Sequence, residues 1–503
     1  MQISFRNLRS FIFTSFVLLT VAAQAVADLR DDVLLAIRVA DFRDATVGVS
    51  VRDAESGSEL VSINADDLMI PASNLKLFTT GAALHVLGPQ FEFKTQLLLD
   101  GDKLIVVSDG DPGFGDPQLL RIMAHDGITG YDVEQFMAIW VDSVVEAGIK
   151  VISEVVVDDR VFDRNFIHPD WPKDQLERHY CAQVSGLNFH LNVFYFYPRL
   201  SNKVRPNINY YFPKAPWLEI INRGTTRRGP DERDSAWVSR KPGTNDLTFH
   251  GNVKGTYRKP VRVTCNNMPD FFAHLLMDRL QKAGVQVSAA RTIMSHETKS
   301  QGQQIGPVIL TPISTVITRC NRESVNLYAE ALLKRVGHEV TNEPGSWENG
   351  TAIVRHTIHN RLGNPNLAKQ IRISDGSGLS RDNRVAAQTM TAWLNTFHHD
   401  EIAGEMFIKS IAIAGREGTV RNRFRNEEDL HGAEVRAKSG YINNVSCLSG
   451  YVTMPDGQRK SFSILVNGLR GNDALSHAKK MQERIVSAIA WNMAGAVVQI
   501  QNN

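Results

Sequence analysis

The sequence predicts an α+β protein in which the two ends of the chain build one antiparallel five-stranded sheet flanked by helices. A long α/β and β-rich segment is inserted between them. Three observations carry this. Two alternating β-type runs lie near the start, Thr46–Arg52 and Glu59–Ile63. Three more lie near the end, Glu434–Gly440, Val445–Met454 and Ser461–Asn467. Either set alone is too small to bury a face, so one shared sheet covered by helices is the arrangement that gives both a core.

Taken in order, the first 27 residues differ from the rest. Arg6 and Arg9 precede an apolar run from Phe11 to Ala23, and Ala25-Val26-Ala27 supplies small residues for cleavage. The run falls short of the ~20 residues needed to span a bilayer, so a cleaved secretory signal over 1–27 is expected, leaving no transmembrane helix in the mature chain. A short helix near Leu29–Ala40 follows, then a hairpin turning at Glu55-Ser-Gly-Ser58. The next helix is expected to start at Ser73 and to stop near Gly88-Pro89. Leu97 to Val107, interrupted by Asp100-Gly-Asp102, opens the insertion with a second hairpin. From about Asn207 to Thr264, β-formers, Gly and Pro dominate with little helical periodicity. A helix over about Asp473–Met493 closes the chain. The expected division is thus a discontinuous domain of 28–90 with 307–503, and an insertion of 91–306 in two subdomains, about 91–200 with 265–306, and 201–264.

Composition excludes several classes. With 43% hydrophobic and 22% charged residues the chain is neither disordered nor a disulfide-stapled miniprotein. A net charge of +2 carries no basic excess, so no nucleic-acid partner is expected. Cys181, Cys265, Cys320 and Cys447 show no metal-ligand spacing. In an oxidising compartment they would either form up to two disulfides, in any of three connectivities, or remain buried thiols.

Three short motifs carry chemistry. Ser73 and Lys76 stand at i and i+3 at a helix start, close enough for hydroxyl and amine to meet. Serine needs a base, and lysine is one only if its pKa falls from about 10.4 towards 7, which burial, a helix N-terminus or a second cation would favour. Such a spacing recurs by chance, as at Ser476–Lys479. Ser324-Val-Asn326 offers a hydroxyl to relay a proton and an amide to hold the lysine or a substrate carbonyl, although helix capping explains Ser324 equally well. Lys438-Ser439-Gly440 lies on an expected strand, where a cation and a hydroxyl suit a carboxylate and glycine admits a ligand backbone. Order and separation together make chance an inadequate account of all three.

In that order the motifs resemble those of the penicillin-binding proteins and active-site serine β-lactamases. The long gap between the first two resembles the class C low-molecular-mass branch, the D-alanyl-D-alanine carboxypeptidase/endopeptidases. Ser108–Pro112, Tyr180–Asn188, Asp375–Ser380, Ala414–Thr419 and Ser446–Tyr451 look like that family's landmarks. The resemblance implies a penicillin-binding-protein/serine β-lactamase-like transpeptidase domain and a peptidase using neither metal nor organic cofactor. It implies Ser73 as nucleophile, Lys76 as base, and Ser324 and Asn326 as relay and orienting pair. Lys438 and Ser439 would hold the substrate carboxylate, Gly440 would belong to the same strand, and the N–H groups of Ser73 and Tyr441 would form the oxyanion hole. The Tyr441 side chain would then have to turn away from the cleft. The implied partners are peptidoglycan stem peptides ending in D-Ala-D-Ala, and β-lactam antibiotics as acylating inhibitors; the implied location is periplasmic or secreted. Two alternatives stand: a β-lactamase or esterase on the same fold, and an inactive cell-wall-binding protein. By composition Asp375-Gly-Ser-Gly378 is a turn, and Arg416 and Glu417 form an ion pair, at the surface or lining the cleft.

Overall fold

The computed structural model describes residues 29–495 apart from positions 43, 126–127, 230–231 and 426. The leader expected over 1–27 lies outside the described residues. One sheet joins the chain ends in the order Glu434–Ile442, Val445–Thr453, Arg459–Asn467, Thr46–Asp53, Glu59–Ile63. All four pairings are antiparallel. The middle strands are buried along nearly their whole length because helices cover both faces. On one side Phe462, Ile464 and Val466 meet Met481, Ile485 and Ile489 of the terminal helix Ala474–Met493, together with Leu29 and Val33 of the helix over 29–40. On the other side Tyr451 joins a core containing Trp393 of Ala387–His398 and Phe78 of Lys76–Leu87.

Lys76–Leu87 is buried over most of its length, among helices Ile313–Glu323, Asn326–Thr341 and Trp347–Leu362. The helix expected to begin at Ser73 instead begins at Lys76. Ala72 adopts φ 45°, and Ala72–Leu75 is a tight 3₁₀ turn, so Ser73 is held on that turn at the helix entrance.

The inserted region has its own sheet in the order Gln286–Thr292, Val151–Asp158, Lys103–Ser108, Glu92–Asp100, Gln303–Gln304, with Ile309–Pro312 also paired to Glu92–Asp100. The expected hairpin is there, turning at Asp100 to Lys103. Helices Val133–Glu146, opened by an Asp132/Gln135 capping box, and Met268–Lys282 contribute to its separate apolar core. The β-rich stretch forms two small three-stranded sheets, one including Val193–Phe196. Among the described residues no helix is long and apolar enough to cross a membrane.

Candidate active site

The three motifs meet at one end of the first sheet. Lys76 Nζ donates to Ser73 Oγ at 3.0 Å, to Asn326 Oδ1 at 2.7 Å and to the Ser377 carbonyl at 2.7 Å. Lys438 Nζ donates to Ser324 Oγ at 2.9 Å and to the Ser439 carbonyl at 2.8 Å. Both lysines are fully buried. Ser73, Ser324, Asn326 and Tyr441 line a cleft of about 810 Å³.

Burial disfavours a charged amine, and it lowers Lys76 even though Glu330 and Asp375 pull the other way. Lys438 is brought down to about 7, by burial first and then by the charge of Lys76. Both shifts move the amines towards proton exchange at lower pH than an exposed lysine allows.

Ser324 does not cap the following helix. That helix starts at Asn326 without a side-chain cap, and Ser324 sits at the end of the preceding one in a left-handed conformation, φ 59°. Its hydroxyl is thereby turned to Lys438. Glycine is required at two close approaches. A Cβ on Gly440 would lie 2.8 Å from the Pro71 carbonyl and 3.1 Å from Ser73 N, so only glycine lets the strand run against the turn that carries Ser73. A Cβ on Gly378, at φ +82°, would lie 1.9 Å from the Ala72 carbonyl.

The strand Glu434–Ile442 is an edge strand. Ala437 N donates to the Ala412 carbonyl and Ala414 N to the Val435 carbonyl, so residues 435 and 437 point their backbone groups outward. The two-residue period puts the N–H groups of Ser439 and Tyr441 on that same edge, beyond the 412–414 segment. The Tyr441 side chain, expected to turn away, instead borders the cleft with Ile442 and Asn443 and is 58% exposed. Alternation sends it to the open side with Ser439, opposite buried Lys438.

Several contributors were legible only as turns or landmarks, and Glu330 only as part of a helix. Asp375 accepts from Gly378 N, Ser380 N, Trp171 Nε1 and Asn383 Nδ2, and so fixes the loop that presents the Ser377 carbonyl to Lys76. Glu330, one turn beyond Asn326, grips that loop at Gly376 N and Ser377 N; burial, then Asp375, pushes its carboxyl up to about 7. The Tyr180 carbonyl accepts from Asn326 Nδ2 at 2.8 Å, and Ser439 Oγ donates to Thr419 Oγ1 at 2.7 Å. Glu417 pairs with Arg322 at 2.7 Å, which answers the expectation of an ion pair with Arg416 by a different partner.

A helix-flanked five-stranded sheet whose edge strand carries a buried lysine beside a serine–lysine pair defines the transpeptidase-type fold of the penicillin-binding proteins. The model of the D-Ala-D-Ala carboxypeptidase 3 (S13) family matches residues 33–488, and the chain belongs to that family, making it a peptidase and a hydrolase. A D-alanyl-D-alanine carboxypeptidase of Actinomadura sp. (strain R39) is 27% identical over 463 residues, which cover 89% of this chain and 82% of the relative. The D-alanyl-D-alanine carboxypeptidase DacB of Haemophilus influenzae is 25% identical over 460 residues, covering 86% and 88%. The crystal structure of penicillin binding protein 4 (dacB) from Haemophilus influenzae shares the fold, with TM-score 0.69, 22% identity, and coverage of 94% of this chain and 99% of that one.

Proposed function

We propose that the protein is a serine D-alanyl-D-alanine carboxypeptidase/endopeptidase of peptidoglycan stem peptides, acting through an acyl-enzyme on Ser73, and that β-lactams acylate the same serine. The observation that carries this reading is the pairing of two buried lysines with two serines: Lys76 Nζ on Ser73 Oγ at 3.0 Å, and Lys438 Nζ on Ser324 Oγ at 2.9 Å.

In the reaction, neutral Lys76 takes the Ser73 proton as Oγ attacks the penultimate D-Ala carbonyl carbon. The oxyanion is held by the N–H groups of Ser73 and Tyr441, donors typically worth ~3–4 kcal/mol each. The C–N bond then breaks, and the leaving amine takes a proton from Ser324, which Lys438 restores. Asn326 orients the substrate amide. The terminal carboxylate lies against the hydroxyls of Ser439 and Thr419, over the Lys438 ammonium. Its arrival favours the charged form of Lys438, and two ammonium groups in one dry site repel, so substrate itself drives Lys76 towards the neutral base. Water then attacks the ester, passing a proton through Ser324 to the neutral Lys438, while Lys76 returns its proton to Ser73 Oγ as the ester bond breaks, so both amines regain their starting states. A peptidoglycan substrate, together with the leader expected from the charged start and apolar run of residues 1–27, supports a location in the periplasm or outside the cell.

Labelling with a fluorescent penicillin tests the assignment. Wild type is expected to form a stable adduct, and Ser73→Ala to form none. Rapid turnover of the drug would identify a β-lactamase, and an unlabelled wild type would identify an inert binder. Lys76→Ala is expected to suppress acylation even at saturating drug. Mass spectrometry of cross-linked muropeptide dimers incubated with the enzyme measures the endopeptidase activity, with loss of dimer as the expected result.

A further inference from the structure

Ser324 is the vertex of an elbow. Helix Ile313–Glu323 ends on it, helix Asn326–Thr341 starts two residues later, and Ser324 itself takes φ 59°, ψ 33°. Such a conformation is unfavourable for a residue other than glycine and persists only where surrounding contacts impose it.

The contact that spans this elbow comes from the inserted region. Asp116 Oδ2 accepts from Arg319 Nε at 2.8 Å, on the first helix, and from the Tyr328 hydroxyl at 2.7 Å, on the second. Asp116 Oδ1 accepts from Arg319 Nη2 at 3.2 Å and from Gln118 N at 2.8 Å, the latter capping the short helix Pro117–Leu120. Asp116 and Tyr328 are fully buried, and the Arg319 side chain is 9% exposed. Arg319 lies just over one turn before Ser324 and Tyr328 about one turn after it, so a single carboxylate ties both arms close to the vertex. A two-point guanidinium–carboxylate contact is directional as well as strong, and in a dry setting it tolerates little movement.

We infer that Asp116 is a positioning residue for the reaction. By clamping Arg319 and Tyr328 it sets the elbow angle that holds Ser324 Oγ on Lys438 Nζ, and the inserted region thereby completes the catalytic centre. The inference rests on the acyl-enzyme reading above. It differs from a purely structural role, because Asp116 then acts on acylation through Ser324, and its effect disappears when the Ser324 hydroxyl is absent.

A double-mutant cycle on the full chain separates the two. Acylation by fluorescent penicillin is timed at saturating drug for Asp116→Asn and Tyr328→Phe, each in the wild-type and Ser324→Ala backgrounds, with incubations long enough to time the slow Ser324→Ala parent. Tyr328→Phe keeps the ring and remains readable should Asp116→Asn fail to fold. Both variants are expected to slow acylation about tenfold or more in the wild-type background, since small misplacements of a reacting group are costly, while the drug concentration giving half-maximal rate stays nearly constant. In the Ser324→Ala background most of that slowing is expected to vanish. A wild-type rate for Tyr328→Phe, or equal slowing in both backgrounds, overturns the inference. Absence of labelling in wild type would instead remove the acyl-enzyme reading itself.

Discussion

Burial is what lowers the proton affinity of lysines 76 and 438. Each amine has lost its water, and each is lowered from its ordinary value of 10.5 chiefly for that reason. Glu330 and Asp375 hold Lys76 back from losing its proton, whereas Lys438 faces the additional repulsion of Lys76. A ligand carboxylate beside Lys438 favours its charged form, and that charge in turn repels a proton from Lys76, which yields a pH test. Acylation should rise with pH as Lys76 loses its proton, and this rise should come at lower pH for a penicillin than for its methyl ester, which brings no negative charge to Lys438. Rate–pH profiles for the two compounds measure it, and coincident profiles would contradict the coupling. The residue types at these positions were legible in the sequence. The desolvation that gives them useful proton affinities was not, because it depends on what covers them.

At the scale of elements, the site is a meeting of a 3₁₀ turn, an elbow between helices and a sheet edge. Strand alternation and helix periodicity located these segments within a few residues, since both follow from side-chain spacing alone. Two local readings differed from the outcome for one reason. Ser73 stays on a 3₁₀ turn ahead of the helix and Ser324 ends one helix without N-capping the next, because the close approaches of Gly378 to Ala72 and of Lys438 to Ser324 override local preference. Gly440→Ala tests how tightly the edge strand must lie. Its methyl group would come 2.8 Å from the Pro71 carbonyl, pushing the strand off the Ser73 turn. The expected outcome is a folded protein, judged by circular dichroism, with acylation reduced about 100-fold. Normal acylation would mean that the strand has slack.

At the scale of the molecule, the inserted region has its own core but also lends side chains to the core of the helices around Lys76–Leu87. Trp171, Cys181, Val184, Leu191 and Val193 belong to the same apolar cluster as Phe78 and Tyr328. Excising 91–306 and closing the gap should therefore give an insoluble or molten product that no penicillin labels. A soluble, labelled remnant would show that the helices hold without their partner. The four cysteines are free and buried, so of the two outcomes open to the sequence the structure has buried thiols. Burial raises Cys181, Cys320 and Cys447 to about 12, so a thiol reagent is expected to react with the native protein slowly and with the urea-unfolded protein at once.

By itself the sequence determined the chemical groups, their order and the five strands of the shared sheet, because motif spacing and period-two alternation are local properties of the chain. The tertiary structure decided which groups touch: Asn326 on Lys76, Ser324 on Lys438, and Asp116 across the elbow, each pair separated by a hundred residues or more. It also decided which amines are dry. Contact and solvent exposure are set by the packing of distant segments, and no spacing along the chain records them.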